Sequence, residues 1–145
     1  MTQELHRVFI SFQYEDLHYA SLMDAWCAND NDEFDMYNER LKVAVNSRDA
    51  DYIKQRIRPK INRASVLMCL IGGATSKSDW VNWEIATAKQ KSSGLVGVEL
   101  KSGNAHPTEI NDAGAVFVPY QKEQILKAIA WAATSGKISG DYRYR

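Results

Sequence analysis

Residues 66–84 read VLMCLIGGATSKSDWVNWE, and this stretch decides the fold. Val66 to Ile71 is an unbroken apolar run, as expected of a strand covered on both faces rather than half-solvated. Gly72 and Gly73 end it, and a small polar loop, Ala74 to Ser78, follows. Asp79 then begins a helix that carries Trp80 and, one turn later, Glu84. In open α/β sheets, ligands bind just beyond the carboxyl ends of the strands. This stretch therefore sets an aromatic ring and a carboxylate beside the edge where chemistry is expected.

The same alternation extends outward in both directions. Arg7 to Phe12 is a first strand, followed by a turn, Gln13 to Asp16. A helix from about Asp16 to Ala28 has Tyr19, Leu22, Met23 and Trp26 at helical spacing, with Asp16 as its N-cap. Phe34 to Asn38, FDMYN, is a short second strand, and Glu39 to Ser47 fits strand, helix or ordered loop. A second helix covers about Arg48 to Ala64, with Ile53, Ile57 and Ile61 spaced by four; Pro59 inside it predicts a kink or a restart. After the opening stretch and its helix to about Ser92, broken by Gly94, come a strand at Leu95–Leu100 and a loop from Lys101 to Gly114. A short strand at Ala115–Val118 and a helix at about Gln121–Thr134 complete the pattern, and the tail 135–145 shows no periodicity and is expected to be mobile or docked. Five strands alternating with helices predict an α/β, flavodoxin-like, three-layer sandwich with a parallel sheet in the order 2-1-3-4-5. In that order the loops after Phe12 and after Ile71 face each other across one crevice.

Composition limits the function. An apolar share of 45% and a charged share of 25% are globular values, so the 145 residues are read as one domain, 1–145. Eighteen basic residues cancel eighteen acidic ones, which gives no global attraction to nucleic acid or to an anionic membrane. The apolar runs are of strand length, not the ~20 residues of a membrane helix. Residues 1–12, MTQELHRVFISF, do not read as a secretory signal. Cys27 and Cys69 form no CxxC pair and read as small buried hydrophobes; with His6, His18 and His106 scattered, no metal site is expected, and the location expected is cytoplasmic.

Three common uses of such a sheet fail on their essential residues. The sequence contains no GxxxxGK[ST] phosphate loop. The turn after the first strand, Ser11-Phe-Gln-Tyr-Glu-Asp16, is bulky and acidic where a dinucleotide fingerprint needs glycines. A phosphoryl-accepting aspartate would be required at the end of the third strand, where Ile71-Gly72-Gly73 stand. What remains is a crevice with Ser11, Gln13, Tyr14, Tyr37 and Asn38 on one side and Trp80 and Glu84 on the other. On a helical wheel, Val81, Ile85 and Ala88 form the buried stripe, and Glu84 lies at its margin, half shielded. A glutamate on a helix is most often solvated, and tryptophans more often pack than bind. Yet a fixed carboxylate here can hold a ribose hydroxyl and stabilise an oxocarbenium-like centre, and Trp80 or Tyr14 can stack on a base. The basic run Lys54, Arg56, Arg58, Lys60, Arg63 reads first as the wet face of its helix and second as a phosphate-binding patch.

Two blocks, RVFISFQYED from Arg7 and the stretch from Ser65 to Gly97, together with FDMYN, resemble bacterial TIR-like proteins, and among them the ThsB-type TIR proteins of the Thoeris anti-phage system. The resemblance covers about residues 6–100. It implies a flavodoxin-like TIR fold and an enzyme that consumes NAD+ as a substrate, with no other cofactor and no metal. Such domains cleave the nicotinamide–ribose bond and make a cyclic ADP-ribose isomer or an ADP-ribose conjugate that activates an effector protein. A phage-derived trigger and a homo-oligomer or filament are implied partners; nucleic acid and membrane are not. The family's W-x-x-x-E pattern falls on Trp80 and Glu84, which makes Glu84 the implied catalytic residue. The implied substrate pocket takes in Ser11, Phe12, Gln13 and Tyr14, then Asp35, Tyr37 and Asn38, and Trp80. The sequence departs from the family in having Lys77, Ser78 and Asp79 where helix-opening arginines are common, and in a nearly absent C-terminal extension.

Overall fold

The computed structural model describes residues 7–29, 50–91, 93–111 and 114–134. Four strands, β1 (Val8–Ser11), β2 (Val66–Ile71), β3 (Gly94–Glu99) and β4 (Val116–Pro119), form one sheet in the order β1-β2-β3-β4. All three pairings are parallel, with Ser11 beside Cys69, Cys69 beside Gly97 and Gly97 beside Phe117. The expected five strands in the order 2-1-3-4-5 are thus corrected to four among the described residues. The segment read as the second strand, 34–38, lies outside them, as do 39–47 and the tail 135–145. The other four take the neighbours that the sequence predicted.

The helices explain why the strands read as continuous apolar runs. Helices α1 (Leu17–Asn29) and α4 (Lys122–Thr134) cover one face, packing on Val8, Ile10, Met68, Leu70, Val96 and Val118. Helices α2 (Ala50–Arg63) and α3 (Asp79–Gln90) cover the other, against Phe9, Leu67, Cys69, Ile71 and Leu95. Neighbouring residues of a strand point to opposite faces, so burial on both sides leaves no polar alternation. The result is a three-layer α/β sandwich.

Helix α2 runs through Pro59 as one element, with no restart. A proline inside a helix costs about 3 kcal/mol. Ile53, Ile57 and Ile61 are buried on one stripe, and each buried isoleucine contributes roughly 1.5–3 kcal/mol. Packing therefore outweighs the broken hydrogen bond. At the start of α3, the Ser78 hydroxyl accepts from the Val81 N–H at 3.1 Å and caps the helix. Within the loop expected over Lys101–Gly114, a short 3-10 turn, Thr108–Ile110, is fastened to α3: Asn82 Oδ1 accepts from the Glu109 N–H, and Lys89 Nζ reaches Glu109 Oε1 at 3.1 Å.

Candidate active site

The alternation of β1 sends Val8 and Ile10 toward α1 and α4, and Phe9 and Ser11 toward α3. At the carboxyl end of the strand, the Ser11 hydroxyl donates to Glu84 Oε1 at 2.7 Å. Both residues are fully buried. Glu84 is thus not half shielded at the margin of its helix, as the wheel suggested; it lies inside, with Val81, Ile85 and Ala88. A carboxylate accepting a hydroxyl at this distance makes a short, charge-assisted bond, strong in a low-dielectric interior.

The two loops flanking the pair touch each other. Asp16, expected to cap α1, ends a 3-10 turn, Tyr14–Asp16, and its carboxyl lies against Gly72 at the end of β2. A Cβ on Gly72 would stand 2.8 Å from the Asp16 Cγ, so any larger residue here would push the Asp16 carboxyl aside. Thr75, wholly buried, accepts the Gly72 N–H at 2.8 Å and donates to the Leu70 carbonyl at 3.2 Å. Asp16 Oδ2 is buried without a hydrogen-bond partner. Burial raises the Asp16 carboxyl above its ordinary 3.8, and the neighbouring Glu15 charge adds to the rise; His18 and the Thr75 hydroxyl act in the opposite direction. A carboxyl raised in the folded state lends its full stability below the unfolded value and loses it as pH climbs through the folded one. Asp16→Asn is therefore expected to be more stable than wild type at pH 7. That advantage should narrow as the pH is lowered toward 4, as urea titrations at several pH values would measure.

The other sequence candidates are dispersed. Phe12 packs into the opposite layer, among Val8, Ile10 and the α1 and α4 side chains. Gln13 is half-buried ahead of the 3-10 turn, and Tyr14 is 78% exposed. Trp80 is half-buried with its ring 5.7 Å from that of Trp83, and Lys54 of α2 lies over both rings. Asp35, Tyr37 and Asn38 lie outside the described residues. Sequence reasoning missed a second polar group on this edge. At the end of β3, His106 Nε2 meets Glu99 Oε2 at 2.9 Å while its ring stacks on Phe117 at 4.5 Å. Asn104 from the same loop donates to the Ile71 carbonyl. Nothing in the spacing from Glu99 to His106 signals the pair; the loop must fold back first.

The family model described as Thoeris protein ThsB, TIR-like domain, matches residues 9–105. The chain belongs to this family. The match spans β1 to the loop after β3, and so contains both Ser11 and Glu84. Among solved structures, the ThsB TIR-like chain is similar to the CMP N-glycosidase BcmB of Clostridium botulinum, at 12% identity and a TM-score of 0.55, over 86% of this chain and 97% of that one. At that identity the likeness establishes the fold. The TIR domains of the activated Roq1 resistosome, which recognises the pathogen effector XopQ, align at 13% identity and a TM-score of 0.47, over 97% of this chain and 88% of that one. Comparison with curated proteins gives no match. Among the described residues, no helix is long and apolar enough to cross a membrane.

Proposed function

We propose that this ThsB TIR-like chain is an NAD+-consuming enzyme of anti-phage defence. It cleaves the nicotinamide–ribose bond and turns the remainder into an ADP-ribose-derived signalling nucleotide, a cyclic ADP-ribose isomer or a conjugate, that addresses an effector protein in the cytoplasm. The observation that carries this reading is the buried Ser11–Glu84 pair at the carboxyl edge of a parallel sheet. BcmB, a CMP N-glycosidase, is consistent with N-glycosidic chemistry on such a sheet.

In the proposed reaction the C1′–N bond breaks and its electron pair enters the pyridinium ring. Nicotinamide leaves neutral, and the positive charge passes to the ribose. Glu84 holds a ribose hydroxyl and stabilises that charge, while Ser11 fixes the carboxylate. Because the site excludes water, the attraction is far stronger than in solvent. Water, or a nucleophile within the same ADP-ribose, then captures C1′; the choice between them decides whether ADP-ribose or a cyclic product forms. Trp80 and the exposed ring of Tyr14 bound the approach of the dinucleotide. Since Glu84 is wholly covered, the loops at this edge must part to admit substrate, which accords with an enzyme switched on by a phage-derived trigger or by self-assembly.

The test is nicotinamide release from NAD+ by the purified chain, with and without lysate of phage-infected cells, and mass spectrometry of the nucleotide product. Ser11→Ala is expected to slow release about tenfold, the worth of one hydrogen bond to a charged group. The complete burial of Glu84 favours one other reading, a non-catalytic TIR interaction module or nucleotide sensor in which the pair is structural. In that case NAD+ or cyclic ADP-ribose binds without turnover, and Ser11→Ala lowers stability alone.

A further inference from the structure

A groove of about 420 Å3 opens between α2 and α3, lined by Arg58 and Asn62 on one wall and Thr87, Gln90 and Lys91 on the other. Helix α3 starts at the carboxyl edge of the sheet and ends where β3 begins, so the groove lies toward the opposite edge from Ser11 and Glu84. Among the described residues, its walls hold two cations, two amides and a hydroxyl, and no carboxylate. The volume lies within the range of small-ligand sites.

Charge is segregated here. Over the whole chain acids and bases balance, yet α2 carries Lys54, Arg56, Arg58, Lys60 and Arg63 against the single acid Asp51. Aromatic rings hold two of the α2 cations, and one of these, Arg58, lines the groove. The Arg58 guanidinium stands 5.6 Å from the Trp83 ring centre, and Lys54 Nζ stands 5.2 Å from it. A guanidinium stacked on a ring keeps its in-plane N–H donors for another partner, and that fork matches the oxygens of a phosphate. Lys91 faces it from the cap of α3. At that helix end Ala88 O accepts from the N–H groups of both Lys91 and Ser93, and the Lys91 charge offsets the negative end of the dipole.

We infer that the groove is an anion site that takes an oligophosphate-bearing small molecule, with Arg58 and Lys91 gripping phosphate oxygens from opposite walls. It is separate from the proposed reaction centre and does not rest on that reading.

The experiment titrates the purified chain with inorganic triphosphate and, in parallel, with inorganic phosphate, followed by calorimetry and by tryptophan fluorescence, because Trp83 lies under Arg58. Saturable triphosphate binding that weakens with salt is expected, with a change in fluorescence. Arg58→Gln combined with Lys91→Gln should weaken it by about tenfold or more. Arg58→Lys, which keeps the charge and loses the fork, should weaken it to a lesser extent. Lys101→Gln, on the loop after β3 and away from the groove, should leave it unchanged. Absence of saturable binding in the millimolar range would overturn the inference. So would a double variant that binds as wild type does, or an equal loss in Lys101→Gln, which would mark diffuse attraction to surface charge.

Discussion

Glu84→Gln is expected to cut nicotinamide release from NAD+ by about a hundredfold or more, while the protein stays folded. The side chain keeps its shape, and an amide oxygen can still accept the Ser11 hydroxyl that now lies 2.7 Å from Oε1. What the proposed mechanism loses is the negative charge opposite the developing oxocarbenium. Removing a single preorganised group of this kind typically costs 10²–10³ in rate, about 3–4 kcal/mol. The effect on stability should run the other way. A fully buried carboxylate carries a desolvation cost that a neutral amide does not, so the melting temperature should hold or rise. Rate and melting temperature measured on the same preparation thus separate a chemical role from a structural one. Equal rates in the two proteins would remove Glu84 from the mechanism, and a collapse of both would make it part of the core.

The second large effect concerns packing. Gly94→Ala is expected to destabilise the protein by about 3 kcal/mol. A Cβ at this position would be driven into the Ala132 carbonyl oxygen, with the carbonyl carbon only 2.6 Å away. Both are backbone atoms of α4, so no side-chain rotation relieves the clash and the helix itself must move off the sheet. In a domain of this length that loss lowers Tm by roughly 10 °C. Denaturant unfolding should show a lower midpoint with an unchanged slope. Gly73→Ala provides the control, since a Cβ there meets nothing within 4 Å.

Gly94 also shows how far the sequence could be read. As a helix breaker between two apolar runs it marks a boundary correctly, but the reason it must be glycine lies in α4, nearly forty residues later. The same division holds elsewhere. Val66–Ile71 is legible as a strand because continuous burial leaves an unbroken apolar run, and its observed limits are those predicted. The start of α3 at Asp79 is legible because a small polar loop gives way to a helical apolar period, whereas the Ser78 cap emerges only from the structure. Asp16 looked like a cap for the same reason, yet contact with Gly72 and Thr75 overrides the local preference. Pro59 looked like a break, and the isoleucine stripe of α2 overrides it. At the site, the period of α3 placed Glu84 beside the buried stripe, but its complete burial depends on β1 crossing beneath, which no helical wheel contains. Phe12 enters the implied pocket through the resemblance alone, yet neighbours on a strand face opposite layers and it packs away from Ser11.

The parallel sheet has a consequence for when the protein becomes competent. Neighbouring strands that run in the same direction cannot be zipped by a tight turn; each pairing waits for an intervening crossover to close. Ser11 and Glu84 stand 73 positions apart, and the entropy of bringing such distant segments together must be met before their contacts contribute anything. No local fragment contains the pair. On the ribosome, and in any partly unfolded molecule, the serine and the glutamate exist without each other. Whatever the pair does begins only when β1, β2 and α3 have met, so its activity is itself a record of completed folding.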